Sequence, residues 1–353
     1  MKLNEIYEIK DFLGFNLEDA KRYDFSNEGA PLDYCEENDA IDKFFIYRSG
    51  GKSHGFYKKE KYDFFEKARK MRIELLKKYN FKQNKDKENE FSPLIIDPDS
   101  QSKLLQKIYK ILWDIKEDCP EYMKSCLDKG NIQGETLNSV NTTLNYYYEN
   151  YIEQEEKEKI REKINKRQSV SKKYILSRYL NDSKTLKERI SNKSINDFLN
   201  IYHTIGNFMP VPNNCNGPRG THSINDYLDL NLLYIYHYYS DDNDKLIELI
   251  VGTEKAKDYK NWLDLFEGKT GKDKWICFVK KNYLQAFCKS EEEDYYPKEL
   301  WKDHFSKATN VLPENKENCL EYFEKAYNMI LARGEQMVEE LNSRMENNKN
   351  ESK

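Results

Sequence analysis

The residues with the most chemical potential cluster in one stretch. Between Lys193 and Lys245 the chain has no lysine, and Arg219 is the only arginine there. The same window holds His203, His222 and His237, three of the 5 histidines, together with Asp197, Asp226 and Asp229. A lone guanidinium among carboxylates can form a structural bridge, Arg219–Asp226 or Arg219–Asp229. It can also form a fork for a phosphate or carboxylate ligand. Asp226 and Asp229, three residues apart, would share a face of a helix, where they could act as acid and base or hold a divalent metal. His203 is placed to end one helix and His222 to begin the next, so either ring could serve as a base or as a hydrogen-bonded core residue. The candidate catalytic set is therefore His203, His222, Asp226 and Asp229. The candidate ligand-binding set is Asn207, Asn216 and Arg219. No metal-ligand set is assigned and no cofactor is identified, with a divalent metal left open.

These residues need a scaffold, and the composition indicates where it lies. Long charged side chains are excluded mainly from buried surface. In a chain with 58 Lys+Arg, a window this poor in cations is expected to be interior. The loop 203–222 carries Pro210, Pro212 and Pro218, three of the 9 prolines, and Gly206, Gly217 and Gly220, three of the 14 glycines. Proline fixes φ, while glycine and asparagine permit positive φ, so this loop is stiffened by its own chemistry. Ile205, Phe208, Met209 and Val211 would pin it to the core. Ser194 and Ser223 each precede an acid by three residues, close to the pattern of a helix-opening capping box.

The stretch Ile205-Gly206-Asn207-Phe208, followed by Pro212, Asn216, Arg219-Gly220 and Asp226 to Leu230, resembles the core of a bacterial family of unknown function. The resemblance spans about residues 195–345 and implies no activity or site. The Ile-Gly-Asn segment also resembles, faintly, that of HNH-like nucleases of the GmrSD restriction type. The catalytic histidine motif of those enzymes is missing here.

Other motifs read more plainly as structure. Ser49-Gly50-Gly51-Lys52-Ser53 is similar to the end of a phosphate-binding loop, but Ile46 stands where its first glycine belongs. Flanked by Phe44–Tyr47 and Gly55–Tyr57, the segment reads better as a β-hairpin. Arg48 and His54 have the spacing of the HEPN ribonuclease signature. That signature needs a helix, and two intervening glycines oppose one. The Tyr234–Tyr239 aromatics lack adjacent cations for base stacking, so they read as core or a protein interface.

Apolar spacing at three and four residues predicts helices over 62–79, 101–117, 258–266, 275–287 and from Leu320 to about 346. The expected fold is mainly α, with helical domain(s) and a small N-terminal β-hairpin element. The expected organisation is an N-terminal α+β region over 1–90, a helical core domain over 91–346 and a disordered tail over 347–353. With 38% hydrophobic and 14% aromatic residues, disorder throughout is excluded. A net charge of −4 argues against a strongly basic nucleic-acid binder. No apolar leader and no apolar run of about 18 residues is visible, so a cytoplasmic protein without membrane attachment is expected. The 7 cysteines include no C-x-x-C pair, as befits a reducing compartment.

Two functional readings follow. In the first, the 203–229 loop and helix start handle an anion or nucleotide, and the chain is a phosphodiester- or nucleotide-directed enzyme. In the second, it is a non-enzymatic regulator or inhibitor of a nucleic-acid-processing defence or counter-defence system in a prokaryote or phage. That protein would bind its partner through helical faces.

Overall fold

The computed structural model describes residues 103–115, 119–128, 131–138, 141–155, 157–158, 192–213, 215, 227–241, 243–306 and 312–351. These residues are mainly helical, as the periodicity predicts. The expected hairpin at 44–57, the 62–79 helix and the boundary near residue 90 lie outside the described residues.

Helix α1, Lys103–Leu112, buries the predicted stripe of Leu105, Ile108 and Leu112. A short α2, Glu121–Lys124, leads into the two-stranded β1 (Leu127–Asp128) and β2 (Asn131–Ile132). Strand β3, Gly134–Thr136, pairs antiparallel with β4, Phe208–Pro210, so that Thr136 faces Phe208 and Gly134 faces Pro210. Between them in sequence lie α3, Asn141–Tyr151, and α4, Lys193–Ile201. Four helices follow: α5 (Leu228–Asp241), α6 (Asp244–Val251), α7 (Thr253–Leu263) and α8 (Gly271–Lys281). Helix α9, Lys316–Glu351, is about 54 Å long at 1.5 Å per residue and is the spine of the fold. Helices α1, α3 and α4 and the 3₁₀ turn Ile205–Asn207 all pack against it.

Several local expectations shift for identifiable reasons. Helix α4 starts at Lys193, not after Ser194, because the Asn192 side chain accepts the Ile195 N–H at 3.2 Å and caps the end two residues earlier. Helix α9 continues through Glu351, into the segment whose asparagines suggest a tail. Asparagine costs only a few tenths of a kcal/mol per helical residue, and no glycine or proline stands there to stop it. The described parts of the lysine-free window are mostly buried, including Ile195, Phe198, Ile205, Phe208, Val211, Tyr227 and Leu232. Of the Tyr234–Tyr239 cluster, Tyr238 and Tyr239 are core, and Tyr236 meets Trp275 and Tyr296 edge-on.

Burial also sets an alkaline limit. It pushes the Cys288 and Cys319 thiols from 9.0, and the Tyr283 phenol from 10.0, up to about 12. Above pH 9 the unfolded chain gives up protons that the folded chain keeps. The stability these groups contribute is full below that point and is lost as pH rises toward 12. The melting temperature should therefore begin to fall near pH 9 and fall faster above pH 10. A flat melting temperature from pH 8 to 11 would contradict the burial of these groups.

Candidate functional site

The loop after α4 is built as a clasp. Gly206 lies so close to α9 that an added Cβ would sit 1.9 Å from the Ile330 carbonyl oxygen. Only glycine fits that approach. Asn207 is fully buried, and its amide is spent on the backbone. Its Oδ1 accepts the Asn138 N–H at 2.9 Å. Its Nδ2 donates to the Asn138 carbonyl at 3.1 Å and to the Tyr202 carbonyl at 2.8 Å. The side chain thus extends the β3–β4 pairing by one more rung. Asn207 was a candidate ligand contact; in this setting its hydrogen-bonding capacity is used up by the fold. Replacing Asn207 with Ala should cost about 2–4 kcal/mol by leaving these main-chain groups unpaired. Denaturant melts would check this, and a loss under about 1 kcal/mol would contradict the clasp.

The same loop is held from the other side by Arg333 of α9, which is fully buried. Its Nη1 donates to the carbonyls of Gly206 and Phe208, both at 2.8 Å, and more loosely to that of Ile205 at 3.3 Å. Nε and Nη2 both reach the Asn282 carbonyl, at 3.2 and 3.0 Å. Desolvation lowers its pKa to about 10. Arg333 is thus caged in carbonyl oxygens, with no carboxylate among these partners.

The arrangement with reactive potential lies at the start of α5. Asp229 is 2% exposed and His304 is 2% exposed. The Asp229 Oδ2 is 2.6 Å from His304 Nδ1 and accepts the Leu300 N–H at 2.8 Å. Its Oδ1 accepts the Leu230 N–H at 2.9 Å. A carboxylate that already accepts two main-chain N–H groups calls for a donor at Nδ1, and a ring with its single proton there carries its lone pair on Nε2. That nitrogen is buried with no hydrogen-bond partner among the described residues. The ring stacks on Trp301 at 3.4 Å between centroids and meets Tyr227 edge-on at 5.4 Å. Thr143 Oγ1 donates to the Tyr227 hydroxyl at 3.0 Å, which fixes that wall. An orphaned polar atom in a buried site costs about 1–3 kcal/mol. Such atoms in native folds call for an explanation, and a catalytic role is one.

Of the sequence candidates, His203, Asn207 and Asp229 lie among the described residues. His203 is buried between the rings of Tyr202 and Phe208. Asp229 is drawn to a histidine that was not a candidate. Among the described residues, the partners of its carboxylate are His304, Leu300 and Leu230. Helix α5 begins at Leu228, and Tyr227 before it is not helical. Asn216, Arg219, His222 and Asp226 lie outside the described residues. Among the described residues no group of three or more His, Cys, Asp or Glu side chains could hold a metal ion. Also among them, no helix is long and apolar enough to cross a membrane.

A family model described as a family of unknown function (DUF6994) matches residues 77–337, and so takes in β3, β4, the clasp, Asp229 and His304. No curated protein matches, and no solved structure does.

Proposed function

We propose that this chain, which belongs to the DUF6994 family of unknown function, is an acid–base enzyme directed at a phosphodiester or nucleotide. The Asp229–His304 dyad is its proton-transfer centre. The single observation behind this reading is the buried His304 Nε2, without a hydrogen-bond partner among the described residues, on a ring whose Nδ1 faces the Asp229 carboxylate. A base held in one tautomer by a buried carboxylate can take a proton from water or a hydroxyl and return it to a leaving group. The substrate class rests on sequence alone. Arg219, a lone guanidinium, and His222 stand in the residues just before Asp229, and a guanidinium fork suits phosphate.

One observation favours the second reading, a non-enzymatic protein-binding regulator. Both members of the dyad are nearly closed to solvent. In that reading the pair only ties the 300–304 segment to α5.

The two readings separate in one experiment. Purified full-length chain is incubated with bis(p-nitrophenyl) phosphate, single-stranded RNA and DNA, and nucleoside triphosphates, with and without Mg²⁺. Hydrolysis of at least one substrate is expected, with His304→Gln reducing it about 10²–10⁴-fold. Absence of turnover on the whole panel, or turnover that His304→Gln leaves intact, would favour the regulator.

A further inference from the structure

A second site lies at the other end of the spine. The turn after α1, residues Pro120 and Tyr122, the end of α8 and the C-terminal half of α9 enclose a cleft of about 370 Å³. That volume falls in the range of small-ligand pockets. The cleft is distinct from the dyad. Tyr322, whose ring lies against Tyr227 of the dyad wall, is about 21 Å along α9 from Gln336, the first helical residue of the cleft.

The walls and polar groups of this cleft fit a particular chemistry. Trp113, Tyr122 and Tyr283 supply flat apolar surfaces, with Trp113 and Tyr283 edge-on at 5.3 Å. Trp113 is 3% exposed, and its Nε1 donor has no partner among the described residues. The Gln285 Oε1 acceptor, on the same cleft, also has none. A glutamine amide turns easily about its terminal torsion, so this acceptor can be brought to the cleft face. Gln336 adds a second amide, and Lys281 an exposed ammonium that pairs with no carboxylate among the described residues. The cleft's other charges are engaged: Arg344 pairs with Asp114 and Glu340, and Lys280 with Glu291. The backbone is also unusual here. Asp114 and Tyr283 both take positive φ, 48° and 56°, although neither is glycine. Such strained positions cluster at ligand clamps.

We infer that this cleft binds a mononucleotide. A planar base would lie against the aromatic walls. Its edge of alternating donors and acceptors would meet the Trp113 N–H and the Gln285 and Gln336 amides. Its phosphate would be drawn to Lys281. A nucleoside shares the first two features and lacks the third.

The test uses the full-length chain and titration calorimetry with AMP, GMP, CMP and UMP. The matching nucleosides and inorganic phosphate are run as separate arms. At least one mononucleotide should bind saturably, more tightly than its nucleoside. Gln285→Leu and Gln336→Leu should each weaken it about tenfold or more, and Lys281→Ala several-fold, with melting temperatures confirming that each variant is folded. His304→Gln should leave this binding unchanged, which separates the cleft from the dyad. The inference is overturned if no mononucleotide binds by about 1 mM. It is equally overturned if binding survives all three cleft variants, if phosphate alone accounts for it, or if His304→Gln abolishes it.

Discussion

Arg333→Met should cost about 3–5 kcal/mol and leave little folded protein at elevated temperature. The guanidinium closes on four carbonyls from two separate segments, the 205–208 clasp and Asn282 after α8. Methionine fills similar volume but donates nothing, so carbonyls that face the buried fork lose their hydrogen bonds together. Arg333→Lys should recover only part of the loss, because one ammonium cannot reproduce a planar fork spanning two segments. Denaturant melts of both variants would check this. A shift below about 1 kcal/mol for Arg333→Met, with unchanged slope, would show that the cage contributes little.

His304→Ala should lower turnover on the responsive substrate about 10²–10⁴-fold. Its effect on stability has two opposing parts. The Asp229 carboxylate loses its imidazole partner, a loss, while the orphaned Nε2 disappears, a gain. Asp229→Asn tests positioning instead. An amide can present an N–H to Nδ1 and favour the other tautomer, which moves the lone pair off Nε2. It should therefore lower kcat with little change in KM. If His304→Ala and Asp229→Asn both destabilise the chain strongly while turnover per folded molecule is unchanged, the dyad is structural.

Sequence periodicity marked α1, α9 and parts of α7 and α8, because each buries an apolar stripe, as Leu105, Ile108 and Leu112 of α1 do. The lysine-free window marked buried chain for a physical reason: the clasp and the start of α5 leave no room for solvated ammonium groups. The expected pairing of Arg219 with an aspartate lies outside the described residues. The buried arginine of the described structure is Arg333, and a signal for it was present. It sits between Ile330 and Met337 on the apolar face of the last helix, where a solvated arginine does not belong. Asn207 was read as a ligand contact because polar residues on stiff loops often bind, but its partners come from Asn138 and Tyr202. A rung formed across distant sequence leaves no local trace. The same holds for His304, whose partner Asp229 is 75 residues away in sequence. Only its company of Trp301 and Phe305, in a polar stretch, hinted at burial.

In the proposed site, Asp229 fixes His304 with its proton on Nδ1 and a lone pair on Nε2. Long-range ¹H–¹⁵N NMR of histidine-labelled chain, with His304→Gln identifying the signal, reads that tautomer directly. The His304 ring should carry its proton on Nδ1, shifting toward the other tautomer in Asp229→Asn. A His304 signal protonated on Nε2 in the unaltered chain would contradict it.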